Sequence, residues 1–366
     1  MLRSTMALGA STAVGLALGL GLGDFVSAQV SGGVDQTVGG TPFDEAAEPA
    51  PETANFHSDD GRLTFAIISH TAGNGFFDPA YVGAQVAADA FGINLIKLGP
   101  EAPIDDYPRQ FEIINQVLQD PTIDGLAITT GQAGAYDDVV AKANELGIPV
   151  ATFNSWDPGI LDRDDISHTG QHYSAAAIGG RAMVECILES GAEGGSILFP
   201  NTTTMGNVEV NNRTTSAFEA AIEALDAAGK LGDFVVDAGP ENIGIDVDQK
   251  NLVGSVVSLI ESRGDVVGLL GTNAATTPAI GDAVAQLGME DQICSYGFDL
   301  GPKMLDQIKT GALDGSLGQQ PFLQGFYPIV QLYLQVDRGV AAADLDTKAQ
   351  LVTQENVELV GKRFEN

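Results

Sequence analysis

From Leu63 onward, short apolar runs alternate with longer segments whose apolar residues recur every three or four positions. The short runs are typical of buried strands, and the longer segments have the period of amphipathic helices. The predicted strands are 63–69, 93–98, 125–129, 149–153, 196–199, 234–236, 266–271 and 293–298. The predicted helices are 81–91, 107–119, 136–146, 175–189, 214–228, 249–262 and 279–287. This alternation indicates an α/β fold with parallel sheets covered by helices on both faces, and the length fits two such sheets.

Polar side chains follow most of these strands directly, where open α/β sheets bind their ligands. One polar residue after a strand is usually a helix cap or a turn former, but six such strand ends together predict a cleft lined with hydroxyl, amide and carboxylate groups. The residues are Ser69, His70, Asn74, Thr129, Thr130, Asn154, Asn201, Asn273 and Asp299.

Catalytic and cofactor motifs are missing from the sequence. It contains neither the Gly-x-Ser-x-Gly nucleophile elbow nor the phosphate loop, and no strand is followed by Gly-x-Gly-x-x-Gly. His70, His168 and His172 are not at metal-ligand spacings, although a His–His–carboxylate site assembled in three dimensions stays an alternative. We therefore expect no enzyme activity, no metal and no cofactor.

Composition and charge narrow the classes of partner. The 366 residues include 17 Lys and Arg against 49 Asp and Glu, a formal net charge of −32. Such an acidic surface repels phosphate backbones and anionic lipids, so we expect no nucleic acid partner and no binding to a membrane surface. At roughly 150 residues per domain, the length predicts two domains once a targeting segment is removed.

The first 28 residues resemble a secretory signal. Arg3 precedes an apolar stretch over 6–22, and Val26-Ser27-Ala28 forms a small-residue cleavage site. A membrane anchor is the alternative, which the Gly-rich stretch and Asp24 disfavour. Residues 29–61 contain acidic residues among Gly, Pro and Ala, but no Lys or Arg and no apolar periodicity. We therefore predict a flexible acidic leader without a fold.

The two cysteines, Cys186 and Cys294, occupy apolar positions of a predicted helix and a predicted strand. Export permits disulfides, but both positions suit small buried hydrophobic residues. We therefore expect them to be unpaired, with a disulfide as the alternative.

Four motifs resemble one known family, the periplasmic ribose-binding proteins and their relatives. The segment 69–77 resembles the family's Asn-x-Phe-Phe opening, and 147–154 resembles its Gly-Ile-Pro-Val strand, which ends on a ligand-binding Asp or Asn. The segment 296–299 resembles its Val-Gly-Phe-Asp strand end. The Gln-x-Pro segment at 318–321, with Gln324 and Gly325 after it, completes an ordered set that runs from about Arg62 to the end of the chain.

The resemblance implies two similar doubly wound lobes joined by three crossing strands, the type I periplasmic binding protein fold. The implied first lobe is 62–170 with 320–348, and the implied second lobe is 171–319 with 349–366, so that the crossings fall near Gln171, Gln319-Gln320 and Lys348-Ala349. It also implies a monomer in the periplasm, exported by cleavage after Ala28, which captures a monosaccharide or polyol and delivers it to an ABC transporter permease with its ATPase.

The same resemblance implies the ligand-binding residues. Polar anchors would be Asn74, Asn154, Asn273, Asp299 and Gln319, which can each bond neighbouring sugar hydroxyls. Phe76 and Phe77 would stack on the apolar face of the sugar, with one of the two expected in the core. For Asp299, the structural alternative is a cap for the segment opened by Pro302.

The chain also departs from the family at several of these positions. Asn154-Ser155 replaces a frequent Asp-Arg pair, for which Trp156 and Asp157 offer compensation, with a surface-loop role for Trp156 as the alternative. His172 replaces a frequent Asp after the first crossing. Arg213 precedes Phe218 by five residues instead of the usual four, which leaves its register open. These departures favour a ligand other than ribose.

Two rival functions use the same fold. An exported sensor for sugars or autoinducers, serving signalling or chemotaxis, stays open on the sequence. A sugar-responsive repressor would need a basic helix-turn-helix at the N-terminus, where this chain has a predicted signal and an acidic leader.

Overall fold

A computed structural model describes residues 37–38, 41–42, 61–73, 75–102, 105–155, 157, 159, 163, 165–201, 207–237 and 251–362. By its contacts the chain divides into two units, Met1–Pro49 and Ala50–Asn366. The predicted signal 1–28 and its cleavage site lie outside the described residues. Among the residues that are described, no helix combines the length and the apolar character needed to cross a membrane.

The first unit contains a short antiparallel hairpin of β1 (Thr37–Val38) and β2 (Thr41–Pro42). The expectation that the leader has no regular structure was therefore wrong for these four residues. In the sequence, Gly39 and Gly40 separate the two strands, and Gly-Gly is a residue pair that tight hairpin turns favour.

The second unit is built on two six-stranded sheets. The first sheet has the order β13-β7-β6-β5-β3-β4 and is parallel throughout. Its strands are β3 (Thr64–Ile68), β4 (Asn94–Leu98), β5 (Gly125–Thr129), β6 (Val150–Phe153), β7 (Ile166–Gly170) and β13 (Leu345–Asp346).

The second sheet has the order β14-β12-β11-β10-β8-β9 and is parallel except for β14, which pairs with β12 in the antiparallel sense. Its strands are β8 (Gly195–Leu198), β9 (Phe234–Asp237), β10 (Val266–Leu270), β11 (Cys294–Phe298), β12 (Gly315–Gly318) and β14 (Gln350–Thr353). The five strands from β7 to β4 in the first sheet follow the same order as the five from β12 to β9 in the second, so the predicted pair of similar doubly wound lobes is confirmed.

Helices cover both faces of each sheet. They are α1 (Asp78–Phe91), α2 (Tyr107–Val117), α3 (Asp137–Glu145), α4 (Ala176–Glu189), α5 (Val208–Ala227), α6 (Leu252–Arg263), α7 (Thr276–Leu287), α8 (Pro302–Thr310), α9 (Pro321–Arg338) and α10 (Val357–Gly361). Alternate strand residues point to opposite faces, so that Phe65 and Ile67 pack under α1 and α9 while Ala66 and Ile68 pack under α2 and α3. We call each sheet with its helices a lobe.

The eight predicted strands and seven predicted helices are all present, with boundaries shifted by a few residues. The pattern missed β7, β12, β13 and β14, because these strands are short or rich in Gly, Ser and Thr. The largest boundary error concerns α5, which begins at Val208 instead of Thr214. Its first six residues place two valines two positions apart among polar residues, which hides the helical period.

The chain crosses between the lobes three times, after β7, after β12 and between β13 and β14. The second crossing returns α9 to the first lobe, where it packs closely on α1. A Cβ atom on Gly83 would lie 2.0 Å from the Phe322 carbonyl oxygen, and one on Gly325 would lie 1.8 Å from the Ala80 carbonyl oxygen. Only glycine fits at these two contacts, so the helix pair is fixed.

Cys186 and Cys294 form a disulfide that joins α4 to the first residue of β11. The expectation of two unpaired cysteines was therefore wrong. Both side chains are directed into the apolar layer between α4 and the second sheet. Their Cα atoms are 6.0 Å apart, within the usual range for a disulfide. The burial that made them resemble apolar residues is also what brings them together.

We predict that replacing both cysteines by alanine lowers the free energy of unfolding by about 2–5 kcal/mol, because the disulfide closes a long loop in the unfolded chain. The sequence separation of the two residues is 108. Urea unfolding of both proteins measures the difference. Dithiothreitol should lower the midpoint of the wild type and leave that of the variant unchanged. Two free thiols per wild-type chain, titrated in denaturant without reductant, would contradict the disulfide.

Candidate functional site

Gln319 follows β12 at the second crossing and is 2% exposed. Its Oε1 accepts hydrogen bonds from Asn154 Nδ2 at 3.3 Å and from Arg213 Nη2 at 2.8 Å, and its Nε2 donates to Asp299 Oδ1. Asn154 follows β6 of the first lobe, whereas Asp299 and Arg213 belong to the second. One buried amide therefore joins polar groups of both lobes, and we call these four residues the Gln319 network.

Two further residues hold this network in place. Gln324 on α9 accepts from Asn154 Nδ2 at 3.0 Å and donates to the Gln319 carbonyl oxygen at 3.0 Å. The Thr347 hydroxyl, from the third crossing, donates to the same carbonyl at 3.0 Å. Both residues are buried, so the network rests on a second layer of satisfied hydrogen bonds.

The backbone around the network has an uncommon conformation. Of the described non-glycine residues, four have a positive φ: Asn154 at 70°, Asp299 at 77°, Gln320 at 60° and Lys348 at 61°. Asn and Asp tolerate this left-handed region, whereas other side chains pay about 1–2 kcal/mol there. All four lie at a strand end or a crossing, and such clustering is typical of functional sites.

Arg213 is held from two sides. It is 4% exposed, its Nε lies 3.0 Å from Oε1 of the buried Glu209, and its guanidinium carbon lies 4.3 Å from the centre of the Phe298 ring. The ion pair and the cation–π contact fix the guanidinium against the network. The structure places Arg213 in hydrogen-bond contact with Gln319, and its role in ligand binding stays a prediction.

Asp299 is an acid in a buried position, at 3% exposure. Burial raises the pKa of its carboxyl, while Arg213, the Gln319 side chain and the Ala274 backbone N–H act in the opposite direction. Glu209 forms an ion pair with the same guanidinium. Two acidic side chains therefore interact with one buried cation, which disfavours a further anion beside it.

The two predicted stacking residues differ in position. Phe77 is 2% exposed and packs edge-on against Phe153 and the His70 ring, so it belongs to the core of the first lobe. Phe76 is only partly buried and meets Phe77 edge to face at 4.9 Å. As expected, one of the pair is a core residue, and Phe76 is the one with accessible ring surface.

Two other predicted residues have local structural roles. Asn273 caps α7, because its Oδ1 accepts from the backbone N–H groups of Ala275 at 3.0 Å and Thr276 at 2.8 Å. The His172 ring lies at the first crossing, where it accepts from Ser174 N–H and stacks near Tyr173. Neither belongs to the Gln319 network. Asn74 and Trp156 lie outside the described residues.

Sequence reasoning missed Glu209 and the buried contacts of Arg213 and His70. Glu209 and Arg213 are spaced i,i+4, a signal for a helical ion pair that went unused because α5 was predicted to begin after both. His70 was noted only as a strand-end residue, yet it is buried, with Nδ1 2.8 Å from Thr129 Oγ1. Burial lowers the His70 pKa, with Asp105 opposing this effect and Arg213 adding to it.

Comparisons with known proteins agree with this architecture. A profile of the family described as the periplasmic binding protein domain matches residues 65–339. The xylose/arabinose-binding protein XylF of Sulfolobus acidocaldarius is 24% identical over 320 residues, which cover 82% of this chain and 73% of that protein. The ribose import binding protein RbsB of Salmonella typhimurium is 26% identical over 261 residues, which cover 70% of this chain and 79% of that protein.

Solved structures show the same fold. A carbohydrate transporter solute-binding protein from Agrobacterium radiobacter, in complex with D-arabinose, superposes with a TM-score of 0.70 at 22% identity, covering 83% of this chain and 98% of that one. A carbohydrate transporter from Acidothermus cellulolyticus, in complex with myo-inositol, gives 0.67 at 20% identity, covering 83% and 98%.

Proposed function

This chain belongs to the periplasmic binding protein domain family, and from that premise we propose that it captures a monosaccharide or related polyol between its two lobes and delivers it to an ABC import permease. The family is a solute-binding type of protein that works in the periplasm. For this member we further propose export by cleavage after Ala28, a monomeric state, no nucleic acid partner and no catalytic activity.

The observation that carries the proposal is the Gln319 network. Asn154, Gln319, Asp299 and Arg213 supply amide, carboxylate and guanidinium groups from both lobes at one buried position. A sugar hydroxyl donates and accepts at once, so a ring of hydroxyls can replace the bonds that these side chains make with one another. A buried polar group left unpaired costs about 1–3 kcal/mol, which selects solutes whose hydroxyls match the site.

The division of the chain into lobes is part of the proposal. The first lobe would span 62–170 with 320–348, and the second would span 171–319 with 349–366. The sheet orders support it, because β13 joins the first sheet and β14 joins the second. Between the lobes, the partly exposed Phe76 would offer a ring face to the apolar side of a sugar, whereas the core residue Phe77 would support it.

Charge and relatives suggest which solutes to test first. Two carboxylates around Arg213 disfavour sugar acids and sugar phosphates. XylF and RbsB are described as binding xylose or arabinose and ribose. Neutral pentoses are therefore the first candidates, followed by hexoses and inositols.

We predict that a neutral pentose or polyol raises the thermal unfolding midpoint of the protein in a dose-dependent way. At a hundred times Kd, the mass-action gain is about 2.7 kcal/mol, equivalent to several degrees for a protein of this size. A thermal-shift screen of D-ribose, D-xylose, D- and L-arabinose, hexoses and inositols measures it, with sugar phosphates and amino acids as controls. A shift given only by amino acids would contradict the sugar-binding proposal.

We predict that Asp299→Asn weakens binding of the sugar found in that screen by about ten-fold or more, because an amide gives up a charge-assisted bond. The same change should not lower stability at pH 7. Burial raises the folded-state pKa of Asp299, so its stabilising contribution is present at low pH and is lost as the pH rises through that pKa. Calorimetry and urea unfolding at pH 4 and 7 measure both effects.

Asp314→Asn is the matched control for Asp299→Asn. Burial also raises the pKa of Asp314, which bonds Ser295 in the same lobe, outside the Gln319 network. It should bind the sugar like the wild type. Unchanged affinity in Asp299→Asn, or equal losses in both variants, would remove Asp299 from the site.

We predict that Gln319→Ala weakens binding and leaves the lobes incompletely closed with sugar present, because its amide contacts both lobes. Spin labels at Glu112→Cys on α2 and Glu219→Cys on α5 report the distance between the lobes by pulsed electron resonance. Gln307→Ala removes a buried amide of the second lobe outside the network and should close normally. A sugar-induced shortening that persists undiminished in Gln319→Ala would refute the prediction.

A further inference from the structure

The two lobes also touch through residues that lie at none of the crossings. Asn207, which precedes α5 of the second lobe, donates from Nδ2 to Asp105 Oδ2 of the first lobe at 2.9 Å. Beside it, the Val208 backbone N–H donates to the Gly131 carbonyl oxygen at 3.1 Å. A side-chain bond to a carboxylate and a backbone bond therefore connect the start of α5 to the loops that follow β4 and β5.

Asp105 is fixed on its own lobe by two further groups. The Tyr107 hydroxyl donates to Asp105 Oδ2 at 3.0 Å, and His70 Nε2 lies 3.5 Å from Asp105 Oδ1. Asn207 has a second role as well, because its Oδ1 accepts from the Val210 N–H and caps α5. If the lobes separate, each partner keeps these local contacts, so neither group is stranded.

A chain of buried hydrogen bonds leads from the core of the first lobe to this carboxylate. The Tyr136 hydroxyl donates to Gln110 Oε1 at 2.8 Å, and Gln110 Nε2 donates to Thr129 Oγ1 at 3.1 Å. Thr129 Oγ1 lies 2.8 Å from His70 Nδ1. Because the Asp105 carboxylate can only accept, we assign the proton of the neutral His70 ring to Nε2, which faces Asp105. His70 Nδ1 then accepts from the Thr129 hydroxyl, which itself accepts from Gln110.

We propose that Asp105 and Asn207 form a clasp: two positioning residues that hold the lobes closed over a bound solute. The inference rests on the proposed function for its biological meaning, because closure matters only if a solute is captured. The buried chain from Tyr136 to His70 sets the orientation of Asp105 and prepares it for Asn207. Closure then adds a cross-lobe bond to a charged group without requiring any new side-chain arrangement.

The sharpest test exchanges the two side chains. Asn207→Asp keeps a good helix cap but places two carboxylates against each other, so it should open the lobes. The pair Asp105→Asn with Asn207→Asp restores one amide and one carboxylate in the reverse order, so it should close them again. The spin-label pair at 112 and 219 measures the lobe distance in the protein without sugar.

Because sugar shifts a mixture of open and closed molecules towards closure, we expect a smaller fraction of short label distances in sugar-free Asn207→Asp than in the sugar-free wild type. The exchanged pair should regain the wild-type fraction. Asp106→Asn is the matched control, since Asp106 lies next to Asp105, loses the same charge and only caps α2 through Arg109 N–H. Equal short-distance fractions in the wild type and Asn207→Asp, or no recovery of that fraction in the exchanged pair, would overturn the clasp.

A second variant covers the case in which Asn207→Asp does not fold. Asn207→Ser keeps the cap but is too short to reach Asp105, so dissociation should become about ten-fold faster with little change in association. Stopped-flow measurements with D-xylose, D-arabinose and D-ribose test this. Unchanged dissociation of a bound pentose would overturn the clasp, whereas no pentose binding by the wild type would count against the proposed function alone, because the sugar-free distances still decide the clasp.

Discussion

The Gln319 amide is the point at which the polar groups of both lobes depend on one another. Its oxygen accepts hydrogen bonds from Asn154 of the first lobe and Arg213 of the second, and its nitrogen donates to Asp299. All four side chains are buried, where an unpaired polar atom is costly. In the proposed function, a solute binds by replacing these bonds with an equally complete set, which favours a small molecule carrying several hydroxyl groups.

The backbone gives this network its geometry. Asn154 and Asp299 end equivalent strands of the two sheets, and both adopt the left-handed conformation that turns the side chain away from the strand direction. Gln320 does the same at the second crossing, where its Nε2 donates to the Thr347 carbonyl oxygen at 3.3 Å. These strained conformations persist because the paired strands and the close α1–α9 contact fix the segments on either side of them.

Local patterns predicted much of the fold, because five-residue apolar runs and helical periods are properties of neighbouring residues. They did not predict β12, whose Gly-Ser-Leu-Gly sequence carries no strand signal, or the pairing of Cys186 with Cys294, since burial alone suits free and bonded cysteines equally. Strand-end polarity and the family motifs pointed to Asn154, Asp299 and Gln319. The hydrogen bonds by which Thr347 and Gln324 hold Gln319 in place were not predictable, because they depend on where the third crossing and α9 pack in the folded chain.

The route of the chain also has a consequence for the order in which the molecule can assemble. Two elements of the first lobe, α9 and the edge strand β13, follow β12 in the sequence. A chain truncated before Pro321 therefore leaves the apolar face of α1 uncovered. During synthesis, the entire second sheet except β14 is made before the first lobe can be completed. Contacts between segments more than 200 residues apart must therefore form late, and such non-local contacts slow folding.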